Sequence, residues 1–186
     1  GYGSTANDSG FGGNNGSLGT GDSAPSWTLD GKFDRALDFD NSNDYVDMGD
    51  ILDLSSSDDL TLSGWFYRDT ATSDDTIIAK RNGITAGDTG FIIYLDDASD
   101  TLIFEISDGI DEYQLESTTT FTDTGWNHFV VVWDDDSALN SEIYINGNDD
   151  NANDTGTIGD IGAVNTGNFR VGTETDSGNP FDGRID

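Results

Sequence analysis

The chain of 186 residues carries 37 acidic against 7 basic side chains, a formal net charge of −30, and has no cysteine. Phosphate backbones and anionic membrane surfaces would repel such a chain, which excludes nucleic-acid binding and disfavours a membrane-surface role. The missing cysteines exclude a disulfide framework and thiol chemistry.

The length suits one domain with a real core. Hydrophobic content is 33%, gathered into short alternating runs, as in a sandwich whose sheets each keep one wet face. Self-repulsion at this charge calls for screening by salt or divalent cations. The composition therefore fits a salty, calcium-rich, marine or halophilic setting, or equally an acidic secreted protein kept soluble by its charge. No signal peptide and no apolar run of membrane length occurs in the sequence.

Residues 1 to 35 are mostly Gly, Ser, Asn, Asp and Thr, with Leu18, Trp27 and Phe33 as apolar anchors, and read as a long ordered loop. Coil of that length in a compact domain needs tying down, and a bound ion is one way to do it. Leu37 and Phe39 then alternate with Asp38 and Asp40, the period of a half-buried strand. Asn41 to Asp44 is a turn cluster, and Tyr45 to Gly49 reads as the returning strand of an acidic-tipped hairpin. Leu60 to Asp69 is a strand with Leu60, Leu62, Gly64 and Phe66 on one face and Thr61, Ser63, Trp65 and Tyr67 on the other.

Thr76 to Lys80 is a short apolar strand followed by a turn at Arg81-Asn82-Gly83. Gly90 to Leu95 and Thr101 to Ile106 form a hairpin, and Glu112 to Ser117 adds a strand. Trp126 to Asp134 is the most apolar run and reads as a central strand paired with Glu142 to Asn146. Residues 148 to 167 read as loop, and Phe169 to Gly172 and Phe181 to Ile185 are the last strands. Strands at roughly ten-residue spacing, turn clusters between them and no helical period predict an all-β, two-sheet antiparallel β-sandwich.

Several stretches share an order with a known family. They are Asp8-Ser9-Gly10 with Asn14-Asn15-Gly16, Gly31-Lys32-Phe33, Ala36-Leu37-Asp38-Phe39-Asp40 with Asp44-Tyr45-Val46, and Leu60 to Phe66. Trp126-Asn127-His128 with its valine run, Ile143 to Gly147, and Phe181 to Asp186 complete the set. Together they resemble the LamG-like modules of the concanavalin A-like jelly-roll superfamily. Against that pattern, residues 1–186 read as one module cut from a longer polypeptide, without the family's first and last strands. A neighbouring chain is then a source for the missing strand.

Calcium takes oxygen ligands from carboxylates, amide side chains and carbonyls, and Asp8 with Asn14 and Asn15 offers such a set. The resemblance implies a structural Ca2+ that ties this entry loop to the terminal segment, with Asp186 as a second carboxylate. No segment fits an EF-hand loop. Sugar sites on such sandwiches combine Asp or Asn with an aromatic platform. The expected glycan-binding set is Asp44, Arg81, Asn82 and Tyr113, with Tyr45 and Trp133 as further pieces. Trp65, Trp126 and Trp133, in alternating strands, read more simply as core.

Enzymes of this fold class place three acids on one strand at E-x-D-x-x-E spacing. Here Glu105 and Asp108 fall on opposite faces, and Glu112 and Glu116 share a face without an Asp between them. His128, the one histidine, reads as structural, and no nucleophile and base pair stands out. The expectation is a non-catalytic, calcium-stabilised recognition module at a cell or virion surface. Its partner is a glycan or a surface protein, with no nucleic acid and no membrane insertion. The alternatives are an assembly module, joined to neighbouring domains or chains in a surface layer, filament, adhesin or viral particle, and an accessory domain of a glycoside hydrolase.

Overall fold

The computed structural model describes residues 3–55, 58–70, 73–81, 88–122, 124–135, 140–156, 167–175 and 178–186. In these residues the strands are β1 (Thr5–Ala6), β2 (Gly16–Leu18), β3 (Ser26–Thr28), β4 (Ala36–Asp40), β5 (Val46–Asp47), β6 (Leu60–Arg68), β7 (Asp75–Ala79) and β8 (Thr89–Leu95). They continue with β9 (Thr101–Asp108), β10 (Glu112–Thr120), β11 (Trp126–Trp133), β12 (Glu142–Ile145), β13 (Asn148–Asp149), β14 (Asn151–Gly156), β15 (Arg170–Val171) and β16 (Asp182–Ile185). Two antiparallel sheets result. One has nine strands in the order β1-β2-β5-β15-β7-β8-β9-β10-β14, the other seven in the order β13-β12-β11-β6-β16-β4-β3.

The pleat explains which side chains meet between the sheets. Along β11, Phe129, Val131 and Trp133 are buried, while Trp126, His128, Val130 and Val132 face outward. Their partners across the ladder keep the same parity: Phe129 lies opposite Gly64, Val131 opposite Leu62 and Trp133 opposite Leu60. Trp133 packs against Tyr113 and Phe104 of the other sheet, at ring-centroid distances of 5.2 and 6.3 Å. β11 is central, between β12 and β6, as its apolar run predicts.

Four expectations are corrected. The segment from Ala36 to Gly49 is not a hairpin. β4 pairs with β16 and β3 in one sheet, whereas β5 pairs with β2 and β15 in the other. The turn begins at Asn41, held at φ 57° in the left-handed region that Asn tolerates. It carries the chain across the sandwich, so that Phe39 and Val46 enter the same core from opposite sides.

Residues 1 to 35 hold three short strands and a 3-10 turn at Gly21–Ser23 rather than continuous loop. Asn151–Gly156, expected as loop, pairs along β10; an open sheet edge outweighs the low strand propensity of Asn, Asp and Gly. Finally, the nine-stranded sheet lacks the expected wet face at its centre. On the nine-stranded sheet, Ala79, Ile92, Tyr94 and Ile103 form a second buried cluster behind the core.

Three of the cations are taken inside. Arg68 pairs with Asp75 at 2.6 Å, Lys80 with Asp50 and Asp53 at 2.9 Å each, and Arg81 with Glu105 at 3.0 Å and Glu112 at 2.7 Å. Burial nonetheless pushes the Asp75 carboxyl up to about 6, against the pull of Arg68.

Gly172, just past β15, has φ 91°, and a Cβ there would sit 2.1 Å from the Phe39 ring of the facing sheet. Gly172→Ala is expected to cost about 2–4 kcal/mol through strain and overpacking, read as a lower denaturant midpoint. An unchanged midpoint would contradict this close sheet-to-sheet approach.

Candidate functional site

The expected calcium ligands fall in two places. In the loop after β1, Asp8 Oδ1 accepts the Gly10 N–H at 2.6 Å and Oδ2 accepts the Asn14 N–H at 2.8 Å. The Asp8 N–H donates in turn to Asn15 Oδ1 at 2.9 Å. The two accepted backbone bonds hold the Asp8 carboxyl below its ordinary range. Asp186 belongs to the seven-stranded sheet, where its backbone exchanges two 3.0 Å bonds with Trp65 and its Oδ2 accepts the Phe33 N–H at 2.9 Å.

No described contact joins Asp186 to the Asp8 loop. A calcium ion takes about six to eight oxygen ligands; Asp8, Asn14 and Asn15 share one loop, whereas Asp186 stands at the end of the seven-stranded sheet with its carboxylate on the Phe33 N–H. The loop closes on its own hydrogen bonds instead. Among the described residues, carboxylate oxygens of Asp74, Asp96 and Asp97 lie within 4.8 Å of one another. Burial, with repulsion from Asp96 and Asp97, raises the Asp74 carboxyl; three Asp96 acceptor bonds, from Ala98 and Ser99, occupy that group already.

The expected glycan set also divides. Tyr113 is 2% exposed in the core against Trp133, and Arg81 is 1% exposed between Glu105 and Glu112. Neither offers a surface to a sugar. Asn82 lies outside the described residues. Glu105 Oε1 also accepts from the Tyr94 hydroxyl at 2.9 Å and from Gln114 Nε2 at 2.8 Å. These carboxylates are engaged in structure, as is Glu116, which accepts from Thr101 Oγ1 at 2.9 Å.

Asp44 does sit in a hollow, of about 320 Å³, with Asp22, Ser26, Asp38 and Asp40. Its Oδ2 accepts the Asp40 N–H at 3.1 Å. Burial, then the Asp40 charge, push its carboxyl up to about 6.

Sequence reasoning missed the surface beside this hollow. Across the seven-stranded sheet, register sets Trp126 opposite Tyr67, Tyr67 opposite Arg184, Arg184 opposite Asp38, and Asp38 opposite Ser26. In the adjoining row His128 faces Trp65. The rings touch, Tyr67 with Trp126 at 5.9 Å, Trp65 with His128 at 4.9 Å and Phe33 with Trp65 at 5.6 Å. Lys32 Nζ stands 4.2 Å over Trp65 and the Arg184 guanidinium 3.7 Å over Tyr67, in cation–π contact. Arg184 also pairs with Asp69 at 3.1 Å.

A strip thus runs from half-exposed rings, past a guanidinium, to a carboxylate-lined hollow. Trp65 and Trp126 are therefore not core. The signal was the parity of their strands, which sets Trp65 opposite to Phe66 and Trp126 opposite to Phe129. Such a surface can stack on apolar C–H faces and hydrogen-bond hydroxyls at the same time.

No curated protein sequence matches the chain. Among solved structures it is similar to a Bacteroides ovatus protein to which carbohydrate binding has been ascribed (21% identity, 81% of this chain and 41% of that one, TM-score 0.57). It is similar also to domains LG4-5 of the mouse laminin alpha1 chain (12%, 87% and 40%, TM-score 0.54). A third is the binding domain of botulinum neurotoxin DC, solved in complex with rat synaptotagmin II (13%, 86% and 39%, TM-score 0.58). The chain spans about two fifths of the length of each of these proteins. At these identities the likeness shows a shared two-sheet fold. The laminin G model described as concanavalin A-like lectin/glucanases superfamily matches residues 40–186, most of the sequence, and the chain belongs to that superfamily.

Proposed function

We propose that the chain is a non-catalytic extracellular recognition module that binds carbohydrate along the outer face of the seven-stranded sheet. The observation that carries this reading is two adjoining rows of half-buried rings, Trp126 with Tyr67 in line with Arg184 and Asp38, and Trp65 with His128 beside them. Large rings left on a sheet surface forgo the stabilisation of full burial, and a contiguous patch of them marks a binding face. A sugar chain lying along the strip stacks its C–H faces on the rings. Its hydroxyls reach Arg184, Asp38 and the hollow around Asp44.

The carbohydrate binding ascribed to the Bacteroides ovatus protein supports this at the level of fold. The buried, fully engaged Glu105 and its neighbours support a role without catalysis. A surface protein is the second occupant, favoured by Phe33 and Leu29, 70% and 71% exposed, with Phe33 at the edge of the rings. The neurotoxin domain, whose structure includes a protein receptor, supports that reading on the same fold-level ground. The Asp8 loop closes on its own hydrogen bonds, and recognition is therefore proposed to need no calcium.

On a glycan array, Trp126→Ala and Tyr67→Ala should each weaken the best responder at least about tenfold, worth about 1.4 kcal/mol, with the melting temperature little changed. Binding untouched by both would contradict the strip. In thermal unfolding at constant ionic strength, Asp8→Ala should lower the midpoint equally in calcium and in chelator, because the Gly10 and Asn14 N–H groups lose their acceptor. A calcium-specific shift that Asp8→Ala abolishes would overturn the account of that loop.

Asp44 rises from 3.8 to about 6 on folding, so between those values the folded state binds more protons than the unfolded. Its contribution to stability therefore increases as pH falls from about 7 to about 5, and is lost as pH rises through the folded value. Asp44→Asn, which keeps the acceptor for Asp40, should raise the midpoint at about pH 8 and flatten this slope. A lower midpoint at that pH would contradict the raised carboxyl.

A further inference from the structure

On the opposite side of the sandwich, the outer face of the nine-stranded sheet has a hollow of about 460 Å³ beside β2 and β5, lined by residues that include Asn15, Ser17, Thr20, Tyr45, Asp47 and Met48. Leu18 and Val46 of these strands point into the core, so Ser17 and Asp47 project outward. Register sets Ser17 opposite Asp47, and Asp47 opposite Arg170.

The groups around the hollow are held in place. Asn168 Nδ2 donates to both Asp47 oxygens, at 3.0 and 2.9 Å, and the Gly49 N–H donates to Oδ1 at 2.8 Å. The Arg170 guanidinium stacks 4.5 Å from the Tyr45 ring centre. Its Nε lies 4.0 Å from Asp47 Oδ2, buried and without a hydrogen-bond partner. Asn15 Oδ1 is taken by the Asp8 N–H, which leaves the Asn15 amide nitrogen as the donor on that side.

We infer that this hollow is a second, separate subsite for a neutral pyranose, with Tyr45 as its ring platform. The ligand class rests on the carbohydrate reading above; the place does not. An aromatic ring, three hydroxyls from Ser17, Thr20 and Tyr45, one amide donor and one fixed carboxylate acceptor match a ring with apolar faces and hydroxyl edges. The Asp47 carboxylate and the −30 charge of the chain disfavour an anionic ligand. A bare cation would find a single carboxylate whose oxygens already accept hydrogen bonds. Two sugar subsites on opposite sheets make one module bivalent, so that it cross-links or gains avidity on a dense glycan surface.

The test is saturation-transfer NMR against the methyl glycosides of glucose, galactose, mannose, fucose and N-acetylglucosamine. Four forms of the protein are compared: wild type, Trp126→Ala with Tyr67→Ala, Tyr45→Ala, and Ser17→Arg. The last fills the hollow from the neighbouring strand and leaves the ring in place. The double strip variant is expected to keep binding at least one glycoside. Tyr45→Ala and Ser17→Arg should each weaken that binding at least about tenfold, and Tyr45→Phe should retain part of it.

Binding lost in the strip variant and unchanged in Tyr45→Ala and Ser17→Arg would overturn the second subsite and leave the strip standing. If every glycoside that the wild type binds keeps its full binding in the strip variant and loses it in both hollow variants, the subsite stands and the strip is overturned. Binding of none of these glycosides by the wild type would overturn the subsite.

Discussion

The two-residue period of the pleated strand is the constraint on which the rest of this molecule depends. A chain with so few apolar residues can fill a sandwich only if nearly every inward position is spent on the core. In β6 and β11 the inward set is Leu60, Leu62, Phe66, Phe129, Val131 and Trp133, and all of it is buried. The outward positions are then free of any packing duty to the core, and it is there that the two sheets differ. The nine-stranded sheet covers its central outer face with a second apolar cluster and the Arg81–Glu105 pair. The seven-stranded sheet leaves its outer rings half in water, where a ligand can reach them.

Charge is managed on the same geometry. Arg68 sits at an inward position at the end of β6, where Asp75 satisfies it, Asp100 adds a second pair at 3.1 Å, and the Ser73 carbonyl accepts a third bond. Lys80 ties the segment at Asp50 and Asp53 onto the sheet and bonds the Gly167 carbonyl at 2.7 Å. Taking one partner from Arg68–Asp75, which is buried on both sides, costs about 3–5 kcal/mol, because the other charge is left away from water without it. The buried cations therefore act as internal pins in a chain whose carboxylates otherwise repel one another. The cations near the surface do other work: Lys32, Arg170 and Arg184 all lie over aromatic rings at the two proposed binding faces.

Much of the fold was legible because its strands alternate strongly. Leu60 to Asp69 was assigned the right faces residue by residue, and the Phe129-Val131-Trp133 stripe marked its strand as central. The Ala36 to Gly49 segment was misread because alternation says which way a side chain points, and says nothing about which sheet the next strand joins. Asn151 to Gly156 was missed because its strand form comes from the edge of β10, a long-range partner with no local trace.

At the site, parity decides against residue type. Tyr113 shares a face with Leu115, so parity makes it core and not the surface platform its residue type suggests. Trp65 and Trp126 suggest core by residue type, yet each is out of phase with its buried neighbours and faces outward. The Asp8 loop carried a real local signal, a carboxylate among Asn and Gly. In the structure that carboxylate accepts the Gly10 and Asn14 N–H groups of its own loop.

The central claim is that ligand meets the outward rings of the seven-stranded sheet and not the core tryptophan. It is tested most directly by following the indole N–H signals in a 1H–15N spectrum while the best-binding oligosaccharide from an array is titrated in. The account predicts that the Trp65 and Trp126 signals move and saturate together, while the Trp133 signal, from a side chain only 1% exposed, stays in place. Saturable binding with Trp65 and Trp126 both unmoved would contradict it.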